Sequence, residues 1–199
     1  MGTATILDIA GAILIGGILM VSLHTVNQNV LTNIYYYNSD IVNQGNLVSV
    51  VDFIERDIKR LGYSPDPAQL PTSAQSILTA DTSRIKFVGD LDNDAVLDTV
   101  TYYLGPLSDM ESTPNPRDRI LYRRVDPGGR ITSNLGVTEF SLLYFDALSD
   151  TLPPPVSQTG RISAIQISVK VESAASIDEQ YAQGFWRQIR VSARNLKNR

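Results

Sequence analysis

From Ile6 to Leu23 the chain reads ILDIAGAILIGGILMVSL, an 18-residue run interrupted only by Asp8 and Ser22. A helix needs about 20 apolar residues to cross the hydrocarbon of a bilayer, whereas the surface helix of a soluble domain keeps a polar face. The run therefore predicts a helix surrounded by apolar matter on every side, in a membrane or among other helices. A cleavable secretory signal would have a basic segment before the run and a small-residue cleavage site after it. No Lys or Arg precedes this run and His24-Thr25-Val26-Asn27-Gln28 follows it, so the segment is expected to be retained. With no Lys or Arg on either flank, loop charge gives no orientation.

Ala12 and Gly16 are four residues apart, a small-residue spacing that lets helices approach closely; Gly16-Gly17 is also a weak point where the helix could unwind. From Val26 to Asp40 the chain is more polar but has no proline. An apolar stripe then appears at Leu47, Val51, Ile54, Ile58 and Leu61, with Ser49, Asp52, Arg56, Lys59 and Arg60 expected on the opposite, outward side. Gly62, Pro65 and Pro67 stop the helix. Continuous from Ile6 to Leu61, it would run for roughly 84 Å at about 1.5 Å per residue. A chain of 199 residues supports only one head domain beside such an element, so about half the helix is expected to project from it.

After the connector Ser64–Ser76 the period changes to two, with strands expected at Arg84–Val88, Thr99–Leu104, Arg119–Val125, Val137–Phe145, Ile162–Val171 and Trp186–Ala193. Short links such as Asp126-Pro127-Gly128-Gly129 suggest an antiparallel meander, and Met110–Pro116 and Leu152–Ser157 read as longer loops. The expected class is α+β: an N-terminal helix over residues 1–62 with its apolar segment at 6–23, and a mainly antiparallel head over 63–199.

Charge narrows the functional classes. Asp8, Asp40, Asp52 and Glu55 are the only charges in the first 55 residues, while the remainder holds 17 basic and 17 acidic groups. There is no basic stripe, which argues against nucleic acid as a partner. The absence of cysteine removes disulfides, thiolate metal sites and a Cys nucleophile. His24 stands alone beyond the apolar run, and no paired carboxylates or Ser-Lys constellation is marked, so no enzyme is expected.

The residues from Gly89 to Asp98 read GDLDNDAVLD, with Asp90, Asp92, Asp94 and Asp98 at positions 1, 3, 5 and 9 of an EF-hand-like series and Val96 at position 7, where a backbone carbonyl serves. Such a loop can converge on Ca2+. Ala95 stands where Gly is usual and Thr101 where a closing Glu is usual, so a solvated acidic hairpin is the competing reading. Tyr35, Tyr36 and Tyr37 occupy consecutive helical positions spread around the surface and suit contacts between subunits or at a membrane interface. Phe185-Trp186 is read either as an exposed anchor pair or as core and sheet-edge cover.

The order of parts, together with FIERDIKRLGY (Phe53–Tyr63), ILYRRV (Ile120–Val125) and GVTEFSLLYFD (Gly136–Asp146), resembles the type IV pilins and type II secretion pseudopilins, closest to PilW-like minor pilins and J-type pseudopilins. That resemblance implies a structural subunit of an extracellular filament or periplasmic pseudopilus, held in the inner membrane before assembly and packed through its helix against copies of itself or related pilins. It further implies that an acid near the N-terminus pairs with a neighbour's terminal amine. Leu7 stands where that acid would follow Gly2, and Asp8, one position on, is the available carboxylate. The alternative function is a membrane-anchored binding or adhesion module with a Ca2+-stabilised head.

Overall fold

The computed structural model describes residues 2–126, 129–173, 176–177, 180–181 and 185–191, with side chains described for all of these except 4, 130–134, 176–177, 180–181 and 185–189. The first element is a single helix, α1 (Gly2–Lys59), continuous through Gly16-Gly17 and through the polar stretch after Val26. The helix stays wound at the glycine pair: each Gly costs only about 1 kcal/mol in a helix, less than the backbone hydrogen bonds an unwound turn would leave open in an apolar segment. Chain contacts divide the molecule into a unit ending at Ile41 and a second from Val42 onward, so the last third of α1 belongs with the head.

Within the second unit, the stripe Leu47, Val51, Ile54, Ile58 and Leu61 is buried, joined by Val50. At about 1.5–3 kcal/mol per side chain these six contribute roughly 9–18 kcal/mol of gross burial, an upper bound set by an extended unfolded chain. That far exceeds the few tenths of a kcal/mol per residue that Val, Asn and Ser cost in helix propensity, so packing holds this half helical. Arg56 and Lys59 in the last turn complement the helix dipole, and Lys59 pairs with Glu55 at 2.7 Å. Ser49, Asp52, Arg56 and Lys59 face solvent as expected, but Arg60 is half-buried and its guanidinium donates to the Leu91 carbonyl.

Gly62 adopts φ +68°, which turns the chain out of the helix, and its N–H donates to the Val88 carbonyl at 2.8 Å rather than to the helix. Gly89 lies so close to the helix end that a Cβ there would sit 2.3 Å from the Arg60 carbonyl oxygen. The connector after Tyr63 contains a 3-10 turn at Pro67–Gln69, capped by the Asp66 side chain, and a one-turn helix, α2 (Ser73–Ser76), closed by a Thr72–Gln75 capping box.

An eight-stranded antiparallel sheet packs on α1. Its strands are β1 (Ile77–Ala80), β2 (Arg84–Gly89), β3 (Asp98–Leu104), β4 (Arg119–Asp126), β5 (Gly129–Phe145), β6 (Thr151–Leu152), β7 (Ala164–Val171) and, after a separate two-stranded pair β8 (Ser176–Ile177) and β9 (Gln180–Tyr181), β10 (Phe185–Val191). The order is β1-β2-β3-β4-β5-β7-β10, with β6 paired to β5. All six expected strands are present. The additions are the pair β8 and β9 and, within the large sheet, β1, which carries only four residues, and β6, where the loop expected from Leu152 begins with a residue paired to Tyr144. β5 starts eight residues earlier than expected because it pairs with β4 as far back as Gly129 opposite Val125. Period-two alternation places Ile85, Phe87, Val100, Tyr102, Phe140, Leu142 and the β7 series Ile165, Ile167, Val169 and Val171 in the core with the helix stripe.

Candidate functional site

The unit ending at Ile41 has no core of its own. Between Ile6 and Leu23, eleven large apolar side chains, from Ile6 through Met20 to Leu23, are each 57–75% exposed. The helix is long and apolar enough to cross a membrane, and none of its most apolar 18-residue window is buried. Full burial of eleven such side chains is worth on the order of 15–30 kcal/mol, so exposure of this surface to water is strongly unfavourable. Asp8, Ala12 and Gly16 are all exposed on one side of the helix. A shallow apolar notch on this segment lies between Ile13, Leu14, Gly17, Ile18 and Val21. Tyr35 and Tyr37 are exposed and Tyr36 is half-buried.

The acidic segment forms the β2–β3 connection. Asp90, Asp92 and Asp98 each present a carboxylate oxygen within 4.8 Å of the others, while Asp94 stands outside this group. The loop is organised by its own acids. Asp90 is fully buried, and its two oxygens accept from the N–H groups of Asn93 at 2.6 Å and Ala95 at 2.9 Å. Asp98 Oδ2 accepts from Leu91 N–H at 3.1 Å, and Asp94 Oδ1 from Val96 N–H at 2.7 Å. Asn93 and Ala95 both take positive φ, +66° and +68°, so Ala95 makes the sharp turn usually left to Gly, at a cost of about 1 kcal/mol. The Val96 side chain is exposed. Helix and loop are bolted together: Asp90 N–H donates to the Tyr63 carbonyl at 2.9 Å, beside the Gly62–Val88 and Arg60–Leu91 contacts. Three carboxylates at this separation suit a hard cation with oxygen ligands, in keeping with the spacing.

Two polar clusters were not anticipated. Asp57, on the buried side of α1, accepts from Tyr102 Oη and Arg123 Nε, both at 2.6 Å, and so ties the helix to β3 and β4. Burial and the neighbouring carboxylate push the Tyr102 hydroxyl far above its ordinary range, so it stays protonated and donates. Burial disfavours the Arg123 charge, but the hydrogen bond and charge of Asp57, together with Tyr102, outweigh it and keep the guanidinium charged. The second cluster centres on Glu172, 3% exposed, which accepts from Lys170 Nζ at 2.7 Å, from Arg117 Nε at 2.9 Å and from Asn115 Nδ2 at 3.3 Å. Burial alone would raise the Glu172 carboxyl, but the hydrogen bonds of Lys170 and Asn115 and the charges of Lys170 and Arg117 hold it below the ordinary range. Nearby Asp118, 2% exposed, has its Oδ1 buried without a hydrogen-bond partner, and burial together with Glu172 pushes its carboxyl up.

Beside Glu172 a groove of about 250 Å3 opens on the sheet, lined by Leu107, Arg117, Arg119, Thr138, Glu139, Lys170 and Glu172. Lys170 alternates with the core residues Val169 and Val171, so the groove belongs to the sheet face turned from the core. The Phe185-Trp186 side chains lie outside those described. His24 is exposed on α1, and among the described residues no nucleophile is paired with it.

No family model matches the chain, and neither a curated protein nor a solved structure matched it in comparison.

Proposed function

We propose that this chain is a structural subunit of a type IV pilus-like filament or pseudopilus, held in a membrane by its N-terminal helix and packed through that helix against copies of itself or related subunits. The observation that carries this reading is the helix Gly2–Lys59: its first part exposes a membrane-length apolar surface, while its last part is the spine of a β head. A plain anchor requires no such spine, because a short linker would tether the head equally well.

Assembly exchanges lipid for neighbouring helices, so hydrophobicity keeps the helix out of water but does not choose between the two surroundings. Shape and polar contacts choose. The notch at Gly17 accepts an apolar side chain, and Asp8, a carboxylate in an apolar segment, is stabilised by the terminal amine of a neighbour. Tyr35 and Tyr37 supply aromatic contact where the segment becomes polar. The role is structural rather than catalytic, and the subunit sits in the inner membrane before it joins a filament at the cell surface or in the periplasm.

In the head, the Asp90, Asp92 and Asp98 loop is assigned to Ca2+, with Val96 offering its carbonyl and Asp94 left outside. Because the loop is fastened to Arg60, Gly62 and Tyr63, an ion there would stiffen the helix-to-sheet junction. Calorimetric titration of the full chain in detergent with CaCl2 tests this assignment, with Asp92→Asn expected to abolish the heat; no heat from the unmodified chain would remove it.

Electron microscopy of material sheared from producing cells, with mass spectrometry of the recovered N-terminus, tests the whole reading. Fibres built from this polypeptide are the expected result. A chain that stays with the membrane and enters no fibre would leave a membrane-anchored binding module instead.

A further inference from the structure

We infer that the groove beside Glu172 receives the acidic β2–β3 loop of a second copy, Asp94 entering it opposite Arg119, so that heads join head to tail. The second copy rests on the filament reading; the contact is argued from the head alone.

Arg119 is half-buried and its guanidinium has no hydrogen-bond or ion-pair partner among the described residues, although it lines a groove whose other two cations are held by Glu172. A guanidinium in that position offers planar donors that match a carboxylate. The complementary group is at the other end of the same sheet. Asp92 and Asp94 are exposed, bond only to backbone N–H groups, and have no cation partner among the described residues. Asp94 also lies outside the three-carboxylate group, so it remains available when that group holds an ion. Apolar contacts complement the charges: Val96 is 60% exposed on the loop and Leu107 is 46% exposed on the groove rim.

The placement makes the contact open-ended. β4 runs from Arg119 at the groove to Asp126, which pairs with Thr99 just after the acidic loop. Seven residues of strand separate the two ends by about 23 Å. Loop and groove therefore cannot meet within one head, and a copy docked loop-into-groove leaves its own groove free for the next. Such heterologous contacts repeat from head to head, and they build an open helix, as a filament requires, when the rotation between copies does not close a ring.

The chain has no cysteine, so single introduced thiols report contacts cleanly. Full-length Val96→Cys chains, which keep the Asp94 carboxylate, are co-produced with full-length Leu107→Cys chains, and membranes and sheared material are treated with a short thiol-specific cross-linker. The expected result is a heterodimer at least about fivefold above that of Val96→Cys with Leu148→Cys, an exposed control position remote from the groove. Adding Arg119→Glu to the Leu107→Cys chain should lower the yield about fivefold, the ratio that about 1 kcal/mol from a partly exposed ion pair represents, with the circular dichroism melt unchanged. Yields equal to the control pair, or indifferent to Arg119→Glu, overturn the contact. Filaments without the cross-link remove this contact and leave helix-driven assembly standing. The cross-link in membranes without any filament does the reverse.

Discussion

Replacing Asp57 by Ala removes the carboxylate that holds Tyr102 and Arg123, and the structure sets the size of the effect. The pair side chains are 8% and 21% exposed, and Tyr102 is 2% exposed. Removing one member of a buried ion pair costs about 3–5 kcal/mol, because the other charge is left without its partner. Partial exposure of Arg123 lets water reach its guanidinium, which puts the expected loss near the lower end, about 3 kcal/mol. For a unit of this size that corresponds to a fall in Tm of about 6–12 °C. The assay is thermal unfolding of the full chain in mild detergent, followed by circular dichroism in the β region. The pairing argument also requires that Arg123→Met on its own destabilise, and that the Asp57→Leu/Arg123→Met chain recover most of the loss, since apolar replacements leave no orphaned charge. An Asp57→Ala chain within about 0.5 kcal/mol of the unmodified one, or a double variant as unstable as the two losses added, would refute the reasoning.

Three further predictions concern the head. Asp118→Asn should raise stability at neutral pH: the folded carboxyl titrates above its unfolded value, so its favourable contribution exists only at low pH and is lost as pH rises through the folded value. The advantage of the Asn variant should shrink on acidification, which unfolding at a series of pH values checks. Glu172→Gln should behave oppositely, destabilising at neutral pH by about 1–3 kcal/mol, with the difference closing as pH falls through the depressed folded value. Ala95→Gly should stabilise by about 0.5–1 kcal/mol, because it relieves a left-handed Ala at φ +68° while adding the backbone entropy of Gly to the unfolded chain; a chemical denaturation midpoint that falls would contradict this.

The position of Asp57 was legible in the sequence even though its partners were not. It lies three residues after Ile54 and four before Leu61, inside the arc of the stripe, and an acid there signals either a helix edge or a buried pair. Which one depends on whether a cation arrives from a strand 66 residues away, and local periodicity carries nothing about that. Arg60 illustrates the same limit. Its place beside the charged face suggested an outward side chain, but the tight packing of Gly89 against the helix end draws the loop carbonyl of Leu91 within its reach.

The sequence by itself determined the division of the chain. The run Ile6–Leu23, the stripe Leu47–Leu61, the stop at Gly62 and the alternating strands each rest on nearest-neighbour geometry, 3.6 or 2 residues per repeat, which a linear pattern records directly. It also placed the acidic loop, since three of its four carboxylates do converge. The tertiary structure decided the rest. It set the register that extends β5 back to Gly129 and the burial of Glu172 and Asp118. It also placed Arg119 in a groove at the far end of β4 from the acids. These depend on which strands become neighbours and on how much water remains between them, and both are properties of the packed chain.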